Sequence, residues 1–257
     1  MSNQSFLELQ QLVRSRLNDA KGDDWLQSQT WRSIVNFSQE EVYELIDAIE
    51  QEDFAAVQDE LADWCFHLLI YAEMARKESR FDLEQIAQTA IDKLTQRLPV
   101  TAASADQSHV HWQQQKYRHK QQHQGSILAD LPADMPALLQ AKKLQDAVAS
   151  IGFVFSDVEA ARAKLQEELE ELDCAIQAND QQQVQHELGD VLFACVAIAK
   201  QYAIHPEQAL RQTNSRFKQR VHHMEQHAQS QQMDLFALDT AELLALYEQA
   251  KQSSQSA

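Results

Sequence analysis

Apolar residues recur along this chain at a helical spacing. Val42, Leu45, Ile46 and Ile49 fall at i, i+3, i+4 and i+7, and Leu165, Leu169, Leu172 and Ile176 continue a stripe of the same kind. That period puts one apolar face on an α-helix. Ser156 followed by Glu159 reads as a capping box opening the second of these helices. Two stretches, 61–74 and 188–199, are apolar nearly all round, and a helix without a polar face is expected to be buried. Between about 98 and 136 the pattern turns polar and rich in Gln and His. This stretch reads as a linker with one short helix around residues 112–120. The tail KQSSQSA is expected to be disordered.

The pattern also repeats. QEEVYELIDAI (39–49) aligns with QEELEELDCAI (166–176), and DELADWCFHLL (59–69) with HELGDVLFACV (186–196), both at an offset of 127 residues. A shared offset means that the intervening length is kept, so the chain carries one helical unit twice.

Composition narrows the choices. Four Gly and four Pro in 257 residues are too few for the frequent tight turns of a sandwich or barrel. Glycine-rich phosphate loops are absent, so any nucleotide must be held by side chains. With 22 Lys+Arg against 39 Asp+Glu the net charge is −17. This makes nucleic acid and anionic membranes poor partners and calls for a divalent cation if the protein handles phosphates. Cys65, Cys174 and Cys195 read as buried thiols in a reducing compartment. The N-terminus lacks the character of a signal peptide, and the longest apolar run (191–199) is far below the ~20 residues of a membrane span. A cytoplasmic location follows. His109, His111, His119 and His123 read as solvated linker residues.

Each unit carries four carboxylates at fixed spacing: Glu41, Glu44, Glu60 and Asp63, then Glu168, Glu171, Glu187 and Asp190. An ExxE on one helix and an ExxD on the next each share a helix face, and antiparallel packing brings the four together. The first pair of each set, taken alone, reads equally well as a solvated surface. Glu187 and Asp190 differ, because they open a helix whose next nine residues are apolar or small. Two like charges ~4 Å apart repel by roughly 4 kcal/mol at an effective dielectric near 20. A helix N-terminus returns only ~0.3–1 kcal/mol. A divalent cation is the simplest compensation, and hard oxygen ligands favour Mg²⁺, with Mn²⁺ able to substitute. No Glu is followed by His at i+3, which argues against a redox di-iron site. Mg²⁺ sites leave positions for substrate phosphates, and Lys164, Asn214, Arg216 and Arg220 are candidate phosphate ligands; ordinary surface charge is the competing reading for each.

ExxE, a fixed gap, ELGD leading into an apolar helix, then N-x-[KR]-F-x-x-R together resemble the MazG-type nucleoside triphosphate pyrophosphohydrolases. The resemblance extends to DLPADMPALLQAKKLQ (130–145), IGFVFSD (151–157) and the tandem arrangement. It implies an all-α fold, a homodimer, and Mg²⁺-dependent hydrolysis of a nucleoside triphosphate to the monophosphate and pyrophosphate as nucleotide-pool house-cleaning. By matching position, it implies that Glu168, Glu171, Glu187 and Asp190 bind metal and that Glu168 or Glu171 orients or deprotonates the attacking water. Lys164, Asn214, Arg216, Arg220, Tyr247 and Lys251 would contact substrate, although Tyr247 reads equally as a core residue. The first unit departs further. It has Asp23 and Asp24 where relatives carry Cys-Pro, Ala62 in place of the Gly of ELGD, and Ile91 at the position of Asn214.

The expected organisation is a degenerate first unit (1–98) that keeps Glu41, Glu44, Glu60 and Asp63, a polar linker (99–136) and a catalytic second unit (137–252). The alternative is a non-catalytic tandem scaffold with vestigial acids.

Overall fold

A computed structural model describes residues 4–18, 22–97, 105–129, 131–132 and 134–253. Every regular element among them is helical, as the periodicity predicts. The chain divides into two compact units, 1–103 and 104–257. The first holds α1 (Gln4–Asn18), α2 (Asp24–Ser28), α3 (Trp31–Glu50), α4 (Phe54–Lys77) and α5 (Leu83–Arg97). The second holds α6 (Ala105–Gln124), α7 (Ala137–Ala149), α8 (Val158–Gln177), α9 (Gln181–Gln201), α10 (Pro206–Ser230), a 3-10 turn (Leu235–Ala237) and α11 (Thr240–Ser253).

The repeat is structural down to its end signals. α3 and α8 start and stop 127 residues apart, as do the starts of α4 and α9. Asp53 caps α4 by accepting from the amides of Ala55 and Ala56, and Asp180 caps α9 by accepting from Gln182 and Gln183. Such a side chain satisfies amides that a helix start leaves without partners. The residue before each cap, Glu52 or Asn179, takes a left-handed conformation (φ 56 and 54). α3 packs on α4, and α8 on α9, so each unit is built around one helical hairpin.

A further helix leans on each hairpin. In the first unit α1 packs on α4 over Val13, Leu17, Leu26, Ile34, Ile70 and Met74. Arg14 on α1 pairs with the buried Glu73 on α4 at 2.9 Å, and Arg76 pairs with its other oxygen at 2.8 Å. Burial alone would raise the Glu73 carboxyl, but the two guanidinium groups outweigh it and hold it below the usual range. In the second unit α7 packs on α9, and Asp146 pairs with Lys200 at 3.1 Å and with Lys142 at 2.6 Å. Burial would raise Asp146; the two ammonium groups hold it low. Glu73 and Lys200 stand 127 residues apart, so the same joint is made with opposite sign.

Several expectations change. The cap of α8 is Asp157, which accepts from Ala160 N at 2.8 Å; Ser156 instead donates to the Asp157 carboxylate at 3.0 Å. Cys174 and Cys195 are exposed and Cys65 is half-buried, so the thiols are not core residues. The all-apolar helices bury only part of their surface. Leu61, Trp64 and Leu68 on α4, and Leu188, Leu192 and Phe193 on α9, stay open, because one partner hairpin covers one face of a helix. The expected short helix at 112–120 spans Ala105–Gln124 and is tied to the second unit. Tyr117 is buried and donates to Lys143 O at 3.5 Å, and Lys120 donates to Ala129 O at 2.6 Å. Burial, then the Asp146 charge, pushes the Tyr117 phenol up to about 12. The side chains of His109, His111, His119 and His123 lie outside the described residues. Lys251, Gln252 and Ser253 continue α11, and the rest of the tail lies outside the described residues.

Candidate active site

The hairpin of the second unit brings Glu168 and Glu171 of α8 against Glu187 of α9. One carboxylate oxygen from each lies within 4.8 Å of the others. Glu168 and Glu187 are only 6% and 5% exposed, whereas Glu171 is open to solvent. The spacing explains the meeting: Glu168 and Glu171 are one turn apart on α8, and Glu187 lies in the second turn of α9, across the short connection. Lys164, a further turn back on α8, donates to Glu168 at 2.7 Å and to Glu167 at 2.8 Å. These bonds hold the ammonium above its usual range, so it stays charged. Gln183 donates to Glu187. Loss of solvation, then the charges of Glu187 and Glu168, pushes Glu171 above the usual carboxylate range.

Asp190, the fourth expected ligand, stands outside this trio. It pairs with His186 at 3.2 Å and lines a neighbouring cavity together with Lys164 and Glu168. That cavity has a volume of about 430 Å³ and largely apolar walls, including Phe153, Phe155, Phe193, Ala194 and Ala197. Sequence reading missed these wall residues. The signal was available in the repeat: the counterparts of Ala194 and Ala197 at the 127-residue offset are His67 and Ile70.

The first unit forms a different trio. Glu41, Glu60 and Asp63 place one oxygen each within 4.8 Å of one another, with Glu44 outside it. Loss of solvation, together with the neighbouring carboxylates, pushes the Glu41 and Glu60 carboxyls above their ordinary range. Glu60 Oε2 is buried without a hydrogen-bond partner. Beneath this cluster lies a polar set with no counterpart in the second unit. Ser38 meets Tyr71 at 3.0 Å and the buried His67 at 3.3 Å, where the second unit has Leu165, Ile198 and Ala194. Burial lowers the His67 imidazole, against the pull of Asp63.

The candidate cations of α10, Arg216 and Arg220, are bonded to partners on α10 and α11. α10 packs on α7, α9 and α11. Arg216 donates to Thr213 at 2.9 Å, one turn back on its own helix. Arg220 donates to the Tyr247 hydroxyl at 3.0 Å and covers the ring at 5.7 Å, with Phe217 on the same ring at 5.8 Å. Tyr247 is half-buried and Asn214 exposed. Lys251 pairs with Glu248 at 3.4 Å. Lys164 is thus the one expected substrate contact with a described bond to the acid trio. A Cβ at Gly189 would meet no protein atom within 4 Å, so no neighbouring backbone of this unit requires a glycine there.

Among the described residues no single helix is long and apolar enough to cross a membrane. The family model for the MazG nucleotide pyrophosphohydrolase domain matches twice, over residues 29–101 and 156–225. Both matches include the acid-bearing hairpins. The chain is 33% identical to a nucleoside triphosphate pyrophosphohydrolase of Escherichia coli (strain K12), over 93% of this chain and 94% of that protein. It is 30% identical to the nucleoside triphosphate pyrophosphohydrolase/pyrophosphatase MazG of Thermotoga maritima, over 93% of each. A nucleoside triphosphate pyrophosphohydrolase of Mycolicibacterium smegmatis is 29% identical over half of this chain. Two family domains, each built on a hairpin that gathers three carboxylates, and full-length similarity to named members agree: the chain is an enzyme of the MazG nucleotide pyrophosphohydrolase family.

Proposed function

We propose that this protein hydrolyses nucleoside triphosphates to the monophosphate and pyrophosphate, that the second unit is the catalytic one, and that its role is to clear unwanted nucleotides. The observation that carries the reading is the trio Glu168, Glu171 and Glu187, which faces a single bonded ammonium. Two of the three carboxylates are almost wholly buried. Buried charge on this scale is retained only where it is paired, and the oxygen donors fit a hard divalent cation, Mg²⁺ or Mn²⁺. Glu168, Glu171 and Glu187 would hold it, with Asp190 a further ligand. When bound, the cation would neutralise phosphate oxygens and polarise the phosphorus under attack.

The residues of the chain supply the rest. Glu171, open to solvent, is the better placed of the two candidate bases to orient or deprotonate a water; Glu168 is occupied by Lys164. Lys164, fixed in the charged state, offsets negative charge at the leaving pyrophosphate. Asn214, Arg216, Arg220, Tyr247 and Lys251 remain proposed substrate contacts, with Arg220 and Tyr247 acting as one unit through their hydrogen bond.

A homodimer fits the apolar residues that one hairpin leaves open on α9. The three unpaired thiols fit a cytoplasmic location. The first unit, with His67 and Tyr71 beneath its acids and Phe37 at the counterpart of Lys164, reads as structural.

The test is product analysis with Mg²⁺. ATP is expected to give AMP and pyrophosphate, at rates that fall to background with a chelator. ADP and orthophosphate would make the reaction class wrong.

A further inference from the structure

The C-terminal half of α10 carries three histidines, His222, His223 and His227, and they are used differently. His222 is engaged on its own helix: the Gln226 amide meets its ring at 2.9 Å, and it pairs with Glu225 at 3.6 Å. His223 and His227 stand at i and i+4, which puts them on one helix face with Cβ atoms about 5–6 Å apart. Among the described residues neither of these two imidazoles forms a hydrogen bond or an ion pair. Both line one cavity of about 300 Å³ between α10 and α11, whose other walls include Ser230, Leu246 and Gln249. Small residues make the seam beside it: α10 packs on α11, and Ala228 and Ala250, one on each helix, are 2% and 5% exposed. Nothing in the chemistry of the carboxylate hairpin uses this place.

We propose that His223 and His227 form a second cation site, for Zn²⁺, with the amide oxygen of Gln249 as the donor from α11 and water completing the tetrahedron. Two imidazoles one turn apart on one face are the spacing through which a helix chelates Zn²⁺. The donor type separates this place from the acid trio. Imidazole nitrogen suits Zn²⁺, whereas Mg²⁺ takes carboxylate and water oxygens. An ion can also reach it directly, since His223 is exposed and His227 half-buried. The consequence follows from which helices the donors sit on. An ion held from both would tie α11 to α10 next to the bond that Arg220 makes to the Tyr247 hydroxyl at 3.0 Å. Arg220 lies one turn before His223, and Tyr247 two residues before Gln249. The ion would thus fix that pair in place without touching it. The site stands independently of the activity proposed above.

The test uses the full chain without a histidine tag, Zn²⁺ alone as the probe, and excess Mg²⁺ throughout so that the acid clusters stay in one state. Calorimetric titration compares wild type with His223→Ala, His227→Ala and, as the control, His222→Ala. All three positions are exposed or half-buried, and circular dichroism checks that each variant is folded. Zn²⁺ taken up by other groups, such as the exposed Cys174 and Cys195, is the same in every variant and cancels in the comparison. His223→Ala and His227→Ala are each expected to lose one Zn²⁺ per chain, or to bind it at least about tenfold more weakly, the least that disturbing a metal's ligands costs. His222→Ala is expected to bind as wild type does. The melting temperature gives a second readout: Zn²⁺ is expected to raise it in wild type and in His222→Ala, and not in His223→Ala. Equal Zn²⁺ number and affinity in wild type, His223→Ala and His227→Ala would overturn the site. So would a loss in His222→Ala as large as in the other two, because binding would then follow the number of histidines and not their face.

Discussion

The two units share a hairpin, the position of two helix caps and the left-handed turn before one of them, yet they spend their interiors differently. The first places large side chains, His67, Ile70, Met74 and Phe37, where the second places Ala194, Ala197, Gln201 and Lys164. The first therefore has a closed core under its acids. The second has an open cavity and a charged lysine on its carboxylates. Clustered carboxylates alone do not distinguish the units, since each gathers three oxygens within the same limit. What separates them is the space and the positive charge beside those ligands. Chemistry on a triphosphate needs both, because the substrate has to fit and its leaving group has to be neutralised.

The largest effect is expected at the sign-reversed joint. Glu73 is nearly buried between Arg14 and Arg76, so Glu73→Lys is expected to cost the first unit about 3 kcal/mol, the low end for breaking a buried pair, since its partners are half exposed. Lys200→Glu, facing Asp146, is expected to cost the second unit a similar amount. In urea unfolding followed by far-UV dichroism, each change should displace only the transition of its own unit. Displacement of both transitions by either change would show that the halves do not unfold as separate bodies. Exchanging the leaning helices would set like charges together, Arg14 against Lys200 and Asp146 against Glu73.

Next is the metal. Mg²⁺ at a hundredfold excess over its dissociation constant is expected to stabilise the second unit by about 2.7 kcal/mol, read as a rise in melting temperature that a chelator reverses. Glu187→Gln should remove most of that rise, because it takes a buried oxygen ligand from the trio. An unchanged rise in that variant would place the cation elsewhere.

Much of this frame was legible in the sequence. The 127-residue offset predicted two copies of one hairpin, because the spacing of its apolar and acidic residues survives point by point. Acids one turn apart also marked the two carboxylate clusters. The choice of three oxygens from four was not legible: it depends on how α8 and α9 rotate against each other, which selects Glu171 in one unit and Asp63 in the other. The cap of α8 was misplaced by one residue because Ser156 and Asp157 are both good caps, and only backbone geometry chooses between them. Burial of the thiols was overestimated because a single hairpin covers one face of α9 and leaves Leu192 and Cys195 open. The cavity was invisible to periodicity, which separates apolar from polar but not alanine from isoleucine.

The smallest effect concerns what the units share. Asp53→Ala and Asp180→Ala remove equivalent caps, and each is expected to cost about 1 kcal/mol in the transition of its own unit. Equal costs would show a common frame beneath the different interiors; a marked inequality would mean that the caps are supported differently.

The central claim is that the second unit does the chemistry. The direct measurement is pyrophosphate release from ATP with Mg²⁺ by two folded double variants, Glu168→Gln with Glu187→Gln and Glu41→Gln with Glu60→Gln. The first pair is expected to lose roughly a hundredfold or more in rate, the scale of removing transition-state charge stabilisation. The second is expected to keep more than about half of the wild-type rate, since its losses fall on a closed core with no lysine at the position of Lys164. Equal losses in the two variants, or a greater loss in the second, would contradict the claim.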